Sequence, residues 1–254
     1  MESQMYQEMM EVEDQHWWFV ARRSIIEQVI RNLNLPADAE IFEAGCGTGG
    51  NLAMLSHHGR VYGMELNETA RNFASDLQIG EIQPGFLPDN IPFPDQNFDL
   101  IVLLDVLEHL EEDTASLQAL SRKLKPSGWL LITVPAYPWL WSKHDELLHH
   151  KRRYLLNNLR QIVGNAGYNV DFASHFNFVL FPLIAVVILV QRLFNKGGNE
   201  QNIPARLINQ ILTFLFGIER HLIGRLSIPF GVSLLLLAQR NQLAQEAKAI
   251  AVCT

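Results

Sequence analysis

Cysteine is nearly absent from this 254-residue chain, which contains only Cys46 and Cys253. Two such residues build no disulfide framework, and no C-x-x-C pair is present to hold zinc or run thiol redox chemistry. No metal site is read from the sequence. The amino-terminal stretch Met1 to Asp14 is acidic and polar. It lacks a basic segment leading into an apolar one, so no signal peptide is expected. Long apolar runs are also missing. The longest, Phe178 to Val190, contains Pro182 and falls short of the ~18–20 residues that span a bilayer; it suits a buried core helix or an interfacial segment. Positive charge is in deficit, with 20 Lys and Arg against 27 Asp and Glu and a net charge of -7. The densest basic cluster, Lys151-Arg152-Arg153, is too short to follow a phosphate backbone, so no nucleic-acid partner is expected. These absences point to a reducing cytoplasm. A hydrophobic content of 48% leaves peripheral membrane contact open.

The length suits one large α/β domain with an elaboration. Residues 1–34 read as a helical cap: the aromatic cluster His16-Trp17-Trp18-Phe19 precedes Ile25, Ile26, Val29, Ile30 and Leu33 at helical spacing, and Pro36 ends the segment. Residues 35–176 read as an alternation of strand and helix. Strands are expected at 40–44, 60–65, 81–83, 98–104, 129–134 and 168–174, and helices at 51–58, 67–77, 114–124 and 155–163. The near-continuous apolar run Phe98 to Leu104 is that of a strand covered on both faces. Such alternation means βαβ units and a doubly wound, mostly parallel sheet. Residues 177–230 form an apolar helical insert, roughly ten times the median connection. It carries a break at Lys196-Gly197-Gly198 and a helix near 205–223 with Leu207, Ile208, Ile211, Leu212, Leu215, Ile218 and Leu222 as one stripe. Its three readings are a lid, an oligomer interface and a membrane-surface patch. Residues 231–254 hold a last strand and a tail.

Residues 43–50 read Glu-Ala-Gly-Cys-Gly-Thr-Gly-Gly. Glycines 45, 47 and 49 follow a strand and open a helix, where a Cβ would obstruct both the turn and a ligand. About 20 residues on, Glu65 closes the second strand and can accept hydrogen bonds from both ribose hydroxyls of an adenosine. Glycines 45, 47 and 50 also satisfy the dinucleotide fingerprint G-x-G-x-x-G. Glu43 weighs against that reading, because a carboxylate beside the turn repels a pyrophosphate and suits a ligand carrying an ammonium and a sulfonium. A nicotinamide oxidoreductase and a cofactor-binding module without catalysis remain as alternatives.

Glu43-x-Gly45-x-Gly47-x-Gly49 with Glu65 resembles the first motifs of class I S-adenosylmethionine-dependent methyltransferases. Phe98-Asp99-Leu100-Ile101 leading to Asp105-Val106-Leu107-Glu108-His109 resembles the fourth-strand motif of the branch containing the ubiquinone-biosynthesis enzymes. The resemblance implies a seven-stranded Rossmann-like sheet with one antiparallel strand, the helical insert preceding the last strand. It implies S-adenosyl-L-methionine as cofactor, held by Glu43, Gly45, Cys46, Gly47, Gly49, Glu65, Leu66, Phe86, Leu87 and Asp105. Arg22 would lie on the methionine carboxylate. The alternatives are a capping role for Asp105 and a solvated Arg22. Gly85-Phe86-Leu87-Pro88-Asp89 lacks the Asp that many relatives place after the third strand, and Asp89 reads as a surface carboxylate.

Methyl transfer asks a protein to align the nucleophile, exclude water and, for some acceptors, take a proton. Candidate bases follow the fifth strand: His144 or His150, with Asp145 to orient either. Arg153 could hold an anionic group, and Trp17, Tyr137, Trp141 and Tyr154 are the substrate-binding candidates. His109 reads as structural. The aromatics at the expected open end, with the apolar insert, suggest a small hydrophobic or lipid-linked acceptor.

Overall fold

The computed structural model describes residues 3–193 and 203–241. Cys253 and the Lys196-Gly197-Gly198 break lie outside them. Seven strands form one sheet: β1 (Glu40–Ala44), β2 (Arg60–Met64), β3 (Glu81–Gln83), β4 (Phe98–Leu104), β5 (Leu124–Pro135), β6 (Tyr168–Phe176) and β7 (Ser233–Arg240), in the spatial order 3-2-1-4-5-7-6. Strand β7 is antiparallel to both of its neighbours, and the other pairings are parallel. The order reverses between β1 and β4, so the ends of those strands open a crevice where α/β sheets take ligands.

Side-chain alternation explains why the central strands are apolar throughout. Phe42, Ile101, Leu103, Leu130, Ile132, Leu234 and Leu236 fill one core. Their sequence neighbours Ile41, Leu100, Val102, Leu131, Leu235 and Leu237 fill the other. Successive residues of a strand face opposite ways, so a sheet buried on both faces needs hydrophobes at every position.

Nine α-helices are described: α1 (Ser3–Val12), α2 (Trp17–Arg31), α3 (Leu52–Ser56), α4 (Glu68–Asp76), α5 (Asp113–Ser121), α6 (Lys143–Leu147), α7 (Leu156–Asn165), α8 (Phe181–Leu193) and α9 (Arg206–Gly217). The amino-terminal helical stretch is two helices, broken where His16 leaves helical geometry and its ring accepts a bond from the Trp18 amide at 3.3 Å. The expected helix at 114–124 ends at Ser121, because Leu124 already pairs with Phe98 in the sheet.

The insert is fastened to α2. Trp17 N donates to Asn209 Oδ1 at 2.9 Å and Asn209 Nδ2 donates to the Gln15 carbonyl at 2.8 Å. Phe216 is fully buried against Trp18 and Phe176. The predicted stripe on α9 is therefore corrected. Phe216, Leu212 and Leu215 face the core, whereas Leu207, Ile208, Ile211 and Ile218 are exposed, because Asn209 and Phe216 set the rotation of the helix.

Glu219 anchors the other end of the insert. It is fully buried and accepts the Asn177 and Val179 amides at 2.6 and 2.9 Å. Removing this carboxylate (Glu219→Ala) strands two backbone donors and lowers stability by about 1–3 kcal/mol in denaturant titrations. Burial, opposed by those hydrogen bonds, pushes Glu219 up to about 7. The folded chain therefore holds a proton that the unfolded chain releases. The stability advantage of the parent over the Ala variant then shrinks as pH rises from about 4.5 toward 7. A constant difference across that window would contradict this.

Candidate functional site

After β1 the chain turns back, and the Gly45 and Cys46 amides bond the Met64 carbonyl at 2.8 and 3.0 Å. Gly47 has φ of 55°, and a Cβ built on it meets nothing within 4 Å. The turn is therefore open to the cavity above it. Gly47 N donates to Glu65 Oε2 at 3.0 Å and Asn67 N to Oε1 at 2.8 Å, so the carboxylate is fixed in place with lone pairs to spare. Gly49 is different. A Cβ there would lie 2.7 Å from Leu77 and 3.1 Å from Ala74, so this glycine lets the turn pack on α4 and does not line the cavity.

The cavity occupies about 1610 Å³ over the carboxyl ends of β1, β2 and β4. Arg22, Gly45, Cys46, Gly47, Glu65, Leu66, Phe86, Leu87 and Asp105 are on its wall, as expected for cofactor contacts. Leu66 and Phe86 are among the exposed large hydrophobics, which suits covering the flat face of an adenine. Asp89 is exposed at the rim.

Glu43 is corrected from a wall residue to one behind the wall. It is 1% exposed, and its Oε1 accepts from Asn51 Nδ2 at 2.7 Å. It is Asn51 that reaches the cavity. Glu43 Oε2 has no partner, and burial pushes the group up to about 8 despite the Asn51 bond. Arg22 is buried and ion-paired with Asp105. Asp105 holds φ of 59° and also accepts from Thr133 Oγ1 at 3.1 Å, so it braces Arg22 and caps no helix. Arg22 Nε is buried without an acceptor.

These features fit S-adenosylmethionine. Glu65 stands where sugar hydroxyls can donate, a buried guanidinium nitrogen lacks an acceptor, and an orphaned carboxylate oxygen lies behind the cradle. The entry helix α1 covers this end. Glu13 Oε2 accepts from Thr48 Oγ1 at 2.9 Å, and Glu13 lies over Gly50.

The far end of the cavity holds the candidate catalytic residues. Asp145 is fully buried. It accepts from Ser142 N at 2.8 Å, from Arg153 Nε and Nη2 at 2.7 and 2.9 Å, and faces His150 Nδ1 at 2.9 Å. Burial alone would raise it, but the bonds from His150 and Arg153 and the guanidinium charge hold it well below the usual carboxylate range. Asp145 is off the cavity wall and orients His150 and Arg153, which with His144 are on it.

Three substrate candidates are corrected. Tyr154 is buried, its hydroxyl near the Leu107 carbonyl and Asp113 at 3.3 and 3.2 Å. Tyr137 stacks on His175 at 5.1 Å and packs in the core. Trp141 presents its carbonyl to Arg192 Nε at 2.9 Å. None of the three lines the cavity, while Trp17 does.

Sequence reasoning missed Glu108 as a site residue and assigned His109 to structure. Both line the cavity beside His150. Glu108 is fully buried with neither oxygen partnered, and burial plus the Asp105 charge raise it well above the usual range. Burial, then the neighbouring His150, pushes His109 down to about 4, so it is neutral at pH 7. The Asp105-x-x-Glu108-His109 spacing was visible, but its meeting with residue 150 depends on the fold.

Residues 42–132 match a family model described as a methyltransferase domain. The match covers less than half of the chain and makes this stretch similar to S-adenosylmethionine-dependent methyltransferases, and the seven-stranded sheet has their Rossmann-like fold. A Mycolicibacterium smegmatis protein named as a probable S-adenosylmethionine-dependent methyltransferase is 26% identical over 162 residues, covering 62% of each chain. A Tropheryma whipplei demethylmenaquinone methyltransferase is 27% identical over 159 residues, covering 61% of this chain and 62% of its own length. The chain thus spans less than two thirds of these relatives. Among solved structures, an S-adenosylmethionine-dependent methyltransferase from Mesorhizobium loti superposes with a TM-score of 0.56 at 16% identity, covering 83% of this chain and 95% of that one. That likeness shows the fold. The matched stretch, the named relatives and the fold support S-adenosyl-L-methionine as the cofactor over a nicotinamide dinucleotide.

A β-branched side chain at Gly47 is strained at positive φ and fills the cradle. Gly47→Val therefore removes calorimetric binding of S-adenosylhomocysteine while the chain still unfolds cooperatively. Retained affinity would place the cofactor elsewhere.

Proposed function

We propose that the protein is an S-adenosylmethionine-dependent methyltransferase acting on a small apolar or lipid-linked acceptor, with residues 177–230 as the lid over that acceptor. The observation that carries this reading is the continuity of one cavity. It runs from Gly47 and Glu65 past His150 to Leu180, Leu183, Ile184, Val187 and Ile188 at α8. One end suits a nucleoside and an amino acid. The other offers an apolar wall, and burial of each aliphatic group there contributes roughly 0.8 kcal/mol per methylene. The Asn209 link from α9 to the backbone of α2 supports a lid.

S-adenosylmethionine supplies a methyl group already carried on a good leaving group. The chain's own residues then align the acceptor and exclude water. Asp145 fixes the His150 ring through Nδ1, which leaves Nε2 for the acceptor end. Arg153, neutralised by Asp145, positions that ring and is not a spare anion site. Exposed Leu183, Val186, Val187 and Val190 on α8 make peripheral membrane contact part of the proposal. No helix among the described residues is long and apolar enough to cross a membrane.

Mass spectrometry of cell extracts incubated with the protein and labelled S-adenosylmethionine should reveal an organic-phase product heavier by one methyl group. Cofactor binding without any methylated product would favour a sensing or regulatory module. Val187→Asp should raise the acceptor KM while S-adenosylhomocysteine affinity holds. His150→Ala should cut turnover by about 10²–10⁴-fold with cofactor affinity unchanged; full turnover in that variant would leave the ring without a role in the reaction.

A further inference from the structure

Resting on the cofactor reading of the glycine turn, we propose that α1 is a gate over that end of the cavity, seated on the turn by Glu13. Tyr6, on the same face of α1, is a cofactor-positioning residue acting through Glu65. Tyr6, Met9 and Glu13 recur at helical spacing, and Glu13 N still bonds the Met9 carbonyl at 2.9 Å, so one helix face carries all three. Each lines the cavity, as do Gly47, Glu65 and Asn67. This segment precedes the stretch 42–132 that matches the methyltransferase domain, so that match assigns it nothing.

Gly50 supplies the deciding observation. Gly45, Gly47 and Gly49 have positive φ, whereas Gly50 does not, so its backbone conformation does not call for glycine. The space beside it does. A Cβ at position 50 would lie 2.6 Å from Glu13 Cδ, and its three nearest atoms all belong to the Glu13 side chain. The third glycine of the G-x-G-x-x-G pattern thus makes room for a carboxyl group brought in by α1. Thr48 Oγ1 donates to Glu13 Oε2 at 2.9 Å, and both residues are buried. Taking a carboxyl group out of water is costly, and this seat offsets the cost with a donor. The base of the helix is pinned separately, since Arg23 Nη2 on α2 donates to the Glu13 carbonyl at 2.7 Å. Displacing the Glu13 side chain therefore frees the tilt of α1 while its base stays attached.

Tyr6 is 8% exposed. Burial, then the neighbouring charge of Glu65, pushes its phenol up to about 12. It keeps its proton at pH 7 and remains a donor close to that carboxylate. Gly47 N and Asn67 N each hold one oxygen of Glu65. A third donor, carried on α1, fixes the orientation in which the remaining lone pairs meet the ribose hydroxyls. With α1 seated, the nucleoside is enclosed. With α1 tilted away, S-adenosylhomocysteine can leave.

The test uses the full chain and S-adenosylhomocysteine. Trp17 and Trp18 line the cavity, so stopped-flow tryptophan fluorescence gives association and dissociation rates. Gly50→Ala displaces only the flexible end of Glu13 and should raise both rates by about ten-fold. Glu13→Ala should do the same, and the double variant should match either single one, because both changes remove one contact. Tyr6→Phe should weaken affinity by about ten-fold, and by much less for an analogue lacking the ribose 2′- and 3′-hydroxyls. Saturating S-adenosylhomocysteine should slow amide hydrogen exchange in residues 3–14 of the parent chain. Unchanged exchange there, with parent-like rates in Gly50→Ala and Glu13→Ala, overturns the gate. So does a rise in dissociation with association unchanged, which reports lost contact energy alone. Equal losses for both ligands in Tyr6→Phe overturn the role of Tyr6 through Glu65. A parent chain that binds no S-adenosylhomocysteine overturns the cofactor reading itself.

Discussion

Buried negative charge gathered at one edge of the sheet is the constraint around which this molecule is arranged. Glu13, Glu43, Glu65, Glu108 and Asp145 are all buried, and most lie where β1, β2 and β4 end. The described buried cations that answer them are few, Arg22 on Asp105 and Arg153 on Asp145. Carboxylates taken out of water in this density are tolerated only when each is protonated, hydrogen-bonded or given a counter-charge. Asp145 and Glu65 are satisfied by donors. Glu43 retains one unpartnered oxygen and Glu108 two, and both are pushed toward protonation.

The two ends of the cavity are assembled by different means. The cradle is a backbone device: one glycine-rich turn of chain, with two amides on the Met64 carbonyl and one on Glu65. Few residue types fit it, so it leaves a compact mark in the sequence. The other end joins residues 108–109, 144–153 and 180–188, which the fold brings together from three separate stretches of chain.

That difference accounts for what could be read in advance. Alternating apolar blocks gave the sheet and its helices, because a strand buried on both faces and an amphipathic helix have distinct periods. Glycine spacing and Glu65 gave the cradle. Glu43 was seen as an acid beside the turn, but only the structure shows that Asn51 stands between it and the cavity. The aromatics Tyr137, Trp141 and Tyr154 were assigned to substrate from their position after β5. A loop residue can point inward or outward, however, and two of these three pack into the core. His109 looked structural in isolation; its neighbour His150 is far along the chain, and no local pattern links them.

Asn209 lies where the helix Arg206–Gly217 meets the chain before Trp17. It grips the Gln15 carbonyl and the Trp17 amide, which are main-chain groups. Such a latch reads the path of the backbone and ignores what hangs from it. Substitution at 15 can leave it closed, and at 17 any residue but proline keeps the donor. Position 209 itself needs a side chain that both gives and takes a hydrogen bond at that short reach. Tolerance is therefore lopsided across this polar contact, which stands beside the apolar one that Phe216 makes with Trp18.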